Sequence, residues 1–206
     1  MPGTFNGTTL TISATPVDHA LIPDEGATNV AGIAIVGSDM YCVKTTGLKT
    51  TLLKTTDYMA TKATAVKKDL NWFALGLTKI GNYLYMLAED HKGYGGSTTI
   101  VKLDTKGNQL GTYSINEICP KGALGITAAD GTNEKFIIMH YADKSNAGTL
   151  TFSVVDWKAA KAASTFTVTN SGFGYTTQLQ DIYYHTSFGL FILTNNTFQH
   201  FRTVFW

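Results

Sequence analysis

The chain carries little charge, few cysteines and few prolines, and each shortage removes a class of explanation. Sixteen Lys and Arg stand against fifteen Asp and Glu in 206 residues, for a net charge of +1. No basic field is therefore available for a nucleic acid or an anionic membrane surface. Cys42 and Cys119 are the only cysteines. Two thiols far apart make neither a disulfide framework nor a metal-ligand pair, so both read as ordinary thiols, with a single disulfide as the lesser alternative. No run approaches the roughly 20 apolar residues that cross a bilayer, and Met1 to Gly7 lacks the basic and apolar regions of a secretory leader. The compartment stays open on these grounds. Also lacking are a nucleophile elbow, a Walker loop and a His-Glu-x-x-His motif.

What is present favours strands. Hydrophobic residues make up 44% of the chain and aromatics 12%, with 20 glycines against four prolines. That composition excludes a disordered chain and, with its abundant Thr, points to β-strands joined by Gly-rich turns. The length fits one domain able to bury a core without staples.

An internal repeat sets the architecture. Residues 31–43, AGIAIVGSDMYCV, align without a gap on residues 75–87, LGLTKIGNYLYML. Both read as strand, Gly-centred turn, strand. A third copy starts at Leu124-Gly125-Ile126-Thr127 and resumes at Lys135-Phe136-Ile137, and a more diverged fourth runs Gln180-Asp181-Ile182-Tyr183 and then Gly189-Leu190-Phe191. The anchors Gly32, Gly76, Gly125 and Asp181 are spaced by 44, 49 and 56 residues on subtraction. Such spacings are those of propeller blades. Two further strands follow in the second copy, Thr98 to Asp104 and Gln109 to Ile115 about a Lys106-Gly107-Asn108 turn, and the third copy repeats them.

These patterns predict an all-β small β-propeller of four blades, each of four antiparallel strands. The repeat units are residues 30–70, 73–118, 122–170 and 178–206, with 1–206 as a single domain. The fourth unit ends after its third strand, and the spare strand at residues 8–14 is expected to close the ring as that blade's outer strand, hiding an edge. A β-sandwich or barrel, or a five-bladed ring with a worn blade between Thr50 and Leu70, are the alternatives. Residues 156–163 have helical propensity and are read as a short helical turn in an outer hairpin.

On these Gly-Ile/Leu-strand-turn-aromatic-strand repeats, nearly the full chain resembles bacterial β-propeller repeat proteins. The Trp-Asp signature of WD40 blades and the paired glycines of kelch blades are absent. The resemblance implies a fold and a binding geometry, since one such scaffold serves many functions.

In that geometry the inter-blade loops and the loops after each second strand share one face, where a ligand is expected. Aromatic residues on these loops, Trp72, Tyr94, Tyr141, Phe173 and Tyr175, are candidates for stacking on a sugar or anchoring a protein, because rings bury much area at little entropic loss. Rings folded back over the blades as core lids are the equal alternative. His91, His140 and Asp143 follow the second strands of two blades and form a candidate divalent-metal set, although their separate loops give no ligand spacing. No other cofactor is expected. The leading expectation is a non-enzymatic recognition module for a protein or glycan, without nucleic-acid binding or membrane insertion. A hydrolase or lyase at the channel mouth, metal-assisted through His91, His140 and Asp143, is the runner-up, and a structural part of a larger assembly is the third reading.

Overall fold

The computed structural model describes residues 3–5, 10–12, 29–56, 63–90, 97–141, 149–169, 179–187, 189–194 and 198–201. Two short strands, β1 (Gly3–Phe5) and β2 (Leu10–Ile12), pair with each other. Four antiparallel sheets follow in simple up-and-down order. The first comprises β3 (Asn29–Val36), β4 (Asp39–Thr46), β5 (Lys49–Thr55) and β6 (Thr64–Leu70). The second comprises β7 (Trp72–Ile80), β8 (Tyr83–Asp90), β9 (Thr98–Leu103) and β10 (Gln109–Ser114). In the third lie β11 (Ala123–Ala128), β12 (Lys135–Tyr141), β13 (Thr149–Asp156) and β14 (Ser164–Thr169). The fourth has β15 (Leu179–His185), β16 (Gly189–Thr194) and β17 (Phe198–Phe201).

The first strands of successive sheets pack on one another, β3 on β7, β7 on β11 and β11 on β15, and β15 also approaches β3. This is a β-propeller fold, with four inner strands around one axis. Burial follows radius. In the second sheet the next-to-inner strand β8 is buried from Leu84 to Ala88, as a strand covered on both faces must be, while the outer strand β10 alternates toward solvent.

Three apolar clusters glue the sheets face to face. Ala34, Val43 and Leu52 of the first sheet meet Leu77, Met86 and Val101 of the second. Tyr85, Leu87 and Ile100 meet Ile126, Phe136 and Ile138. Met139, Phe152 and Val154 meet Ile182, Leu190 and Ile192.

Each inner strand is kinked by a β-bulge at the same place, between Ala31 and Ile33, Ala74 and Gly76, Ala123 and Gly125, and Leu179 and Asp181. The anchor glycines are needed there for contact. A Cβ added at Gly32, which also has φ +64°, would lie 2.1 Å from the Leu77 amide nitrogen, and Cβ atoms at Gly76 and Gly125 would meet Ile126 and Ile182 at 3.2 and 3.3 Å. Threonines stitch the same joints: Ala128 N–H donates to Thr78 Oγ1 at 3.1 Å and Tyr184 N–H to Thr127 Oγ1 at 3.2 Å. The first joint has its own clamp, in which Thr50 Oγ1 donates to the Trp72 carbonyl at 2.7 Å and the Ala74 amide reaches both Thr45 and Thr50 hydroxyls.

Three expectations are corrected. The N-terminal strand does not complete the last sheet: β2 pairs with β1, and the fourth sheet has three strands among the described residues. Only four residues separate β1 from β2, so the local pairing closes a far smaller loop than pairing with β17 would. The segment between Thr50 and Leu70 contributes β5 and β6 to the first sheet and not a worn fifth blade. Residues 157–163 form a non-helical turn between β13 and β14. There the Trp157 ring meets Tyr85, Tyr113 and Phe136 edge-on, and that tertiary packing outweighs the propensity of its alanines.

Candidate functional site

The loop face expected to bind is only partly within the described residues. Tyr94, Phe173, Tyr175, His91 and Asp143 lie outside them. Trp72 opens β7, half-buried against the first core cluster, and its indole N–H donates to Gln109 Oε1 at 3.1 Å. Its ring therefore lies over the blade, as the core-lid reading has it. Tyr141 ends β12, half-buried, with its carbonyl against the neighbouring His140 ring.

His140 is placed unlike an exposed ligand. It lies within β12, and its two ring nitrogens engage the Tyr141 carbonyl at 3.2 Å and Ser153 Oγ at 2.9 Å. Burial holds its imidazole below the usual histidine range despite the Tyr141 bond, so it is a neutral part of the sheet. A metal at His140 would have to displace one of those bonds. Among the described residues no group of three His, Cys, Asp or Glu is arranged to hold a metal ion.

A concavity along the axis opens elsewhere. A cavity of about 610 Å³ is lined by the later halves of all four inner strands, including Ile33, Leu77, Ile126, Asp181, Tyr183 and His185. It lies toward the turns that follow the inner strands, the end opposite the loops singled out by sequence.

Two features distinguish this cavity from a packed axis. One is Asp181, which stands at the fourth anchor where the other three copies have glycine. Burial raises its carboxyl to about 7, against the opposing effect of the Ile182 N–H, which donates to Oδ1 at 2.8 Å. The other is the exposed joint between the fourth and first sheets. Ile33 is 62% exposed, whereas the residues at the same repeat position, Leu77, Ile126 and Ile182, are 2%, 1% and 4% exposed. Ile35 and Tyr183, which also line the cavity, are exposed as well. At this joint, where a carboxyl stands in place of a Cβ-free residue, β3 packs on β15 more sparsely than the other inner strands pack on one another.

Asp130 and His185 near the cavity are occupied. Asp130 accepts from the Thr132 and Asn133 amides and the Asn133 side chain within its own turn, and His185 Nδ1 accepts the Ser187 N–H at 3.1 Å. Away from the axis, Glu134 receives Tyr85 Oη and Lys102 Nζ, an inter-blade tie between the second and third sheets. Sequence reading passed over Asp181 as a worn copy of the anchor glycine, although that departure from the repeat was the signal.

No protein-family model matches the chain, and no curated protein sequence is similar to it. Solved structures are similar at the level of shape. Glutaminyl cyclase from Myxococcus xanthus is 11% identical with a TM-score of 0.51, and the match covers 80% of this chain and 67% of the cyclase. BamB from Moraxella catarrhalis is 15% identical with a TM-score of 0.46 over 84% of this chain and 50% of BamB. The β-propeller domain of the Trilobed protease from Pyrococcus furiosus is 10% identical, with a TM-score of 0.39 over 85% of this chain and 57% of that one. At these identities the likeness concerns fold alone. Among the described residues no helix is long and apolar enough to cross a membrane.

Proposed function

We propose that this chain is a non-enzymatic recognition module that binds a segment of a partner protein in the axial cavity. The observation carrying the reading is the cavity of about 610 Å³, lined by all four inner strands and flanked by exposed Ile33, Ile35 and Tyr183. A concave site with apolar walls and few polar groups is the usual form of a binding pocket. An apolar side chain left bare at one joint, as Ile33 is when its three counterparts are buried, favours a ligand that covers it. Sugar recognition finds less support, because Trp72 lies over its blade rather than standing clear of it.

The test is selection of peptides from a random phage-displayed library on the immobilised protein, followed by calorimetric titration of the enriched peptides. Affinity is expected to fall at least tenfold in an Ile35→Ser, Tyr183→Ser double variant and to persist in Trp72→Ala, Tyr141→Ala. Loss in the second pair alone moves the site to the loop face. Failure to enrich any peptide contradicts a protein-binding role.

One observation favours a second reading, a hydrolase or lyase at the same cavity. A carboxyl raised to about 7 exchanges protons near neutral pH, as a general acid or base must. It stands second because the neighbouring Asp130 and the Nδ1 of His185 are engaged within their own turns.

A further inference from the structure

We propose that the axial cavity takes a protonated amine bearing an apolar substituent, with the Asp181 carboxylate as its counter-ion and Ile33, Ile35 and Tyr183 as its apolar wall. The assignment rests on the reading of this cavity as the binding site and extends it to the chemistry of the ligand.

The repeat itself supplies the first argument. Three inner strands carry glycine at the bulge so that the next strand can come within contact, and the fourth carries a carboxyl that projects into the hollow. The joint that carries this carboxyl is the sparsely packed one, so an acidic group lines its hollow. A carboxylate buried away from water is costly unless a cation or several donors meet it. Among the described residues Asp181 meets one donor, the Ile182 amide, and makes no ion pair.

The surrounding charges decide the sign and kind of ligand. Besides two tyrosines, three other ionisable residues line the cavity: Asp130 at the β11–β12 turn, His185 at the end of β15 and Lys79 near the end of β7. Asp130 is saturated by its own turn, and Lys79 makes no ion pair with Asp181. An anion would meet two carboxylates. A divalent metal needs several oxygen ligands, and the cavity offers one carboxylate that is not already engaged in its own turn. A single ammonium group matches one carboxylate, and the exposed Tyr183 ring beside it adds a face to which a cation is attracted. The isoleucines and Leu77 accept the apolar part.

Calorimetric titration with hexylammonium chloride, with 1-hexanol as the neutral comparison, tests the assignment. Hexylammonium is expected to bind at least tenfold more tightly at pH 8.5 than at pH 5.5, because Asp181 ionises near 7, while 1-hexanol shows no such change. In Asp181→Asn the ammonium preference should disappear, with circular dichroism verifying the fold. Tyr183→Ser, at an exposed position, provides a second variant with an expected severalfold loss. Lys79→Met should leave the preference intact. A capped peptide with one lysine between leucines separates the sources: binding as tight as that of the free amine assigns a partner's lysine, and exclusion of the peptide assigns a small amine. Equal binding of hexylammonium and 1-hexanol, unchanged in Asp181→Asn, overturns the amine assignment while leaving the cavity as an apolar binding site. If neither compound binds, the amine assignment falls, and peptide selection still judges the partner-binding reading.

Discussion

Single positions on the inner strands divide into those that permit contact and the one that stands at the sparsely packed joint. Gly32→Ala places a Cβ 2.1 Å from the Leu77 backbone at a positive φ, so it should cost more than about 2 kcal/mol in urea unfolding. Gly81→Ala, also at positive φ but with open space around it, should cost about 1 kcal/mol, the left-handed penalty alone. Asp181 gives a pH signature. Its carboxyl titrates at about 7 in the folded chain against 3.8 ordinarily, so the folded state holds the proton more tightly between those values. Stability from this group is therefore full below about pH 4, declines as pH rises toward 7, and stays low above it. The melting temperature of Asp181→Asn, compared with that of the parent chain, should rise from pH 4 to pH 8, and a constant difference would contradict the burial assigned to Asp181. The glycines were legible in sequence because a backbone requirement leaves little choice of residue. Asp181 was visible as a letter but not as a site, since its meaning depends on a joint between residues 148 positions apart in the chain, Ile33 and Asp181.

At the scale of strands, the joints rely on backbone donors held by side chains of the neighbouring blade. Thr78→Val and Thr127→Val keep shape but leave the Ala128 and Tyr184 amides without their acceptors, and each should cost about 1–3 kcal/mol. Thr132→Val, in the exposed β11–β12 turn, should cost less than either, and denaturant titration of the three variants checks the order. Strand identity was legible from alternation and turns, and the hairpins around Gly37, Gly81 and Gly107 fall where the sequence placed them. The N-terminal pairing was not, because an alternating strand such as Leu10 to Ile12 satisfies either edge, and the choice turns on loop length. The turn at residues 157–163 was misjudged for a related reason: its alanines speak for helix locally, while one tryptophan ring binds it to the core of two blades.

For the whole molecule, three joints bury Leu77, Ile126 and Ile182, and the fourth leaves their counterpart Ile33 bare. Stacked sheets explain the continuous burial of β8. The bare joint is what the functional reading depends on, since it opens the cavity and sets Asp181 within it. Cys42 and Cys119 make the joint measurable. Burial raises their thiols to about 11 and about 12, so both should stay silent to a thiol reagent at pH 8 while the chain is folded. Cysteine can then be placed at three equivalent repeat positions, Ile33→Cys, Leu77→Cys and Ile126→Cys, and the rate of labelling by dithionitrobenzoate measured under native conditions. The open fourth joint predicts that the cysteine replacing Ile33 reacts at least a hundredfold faster than the other two; equal protection at all three positions would mean that the fourth joint is packed like the rest and would contradict the account.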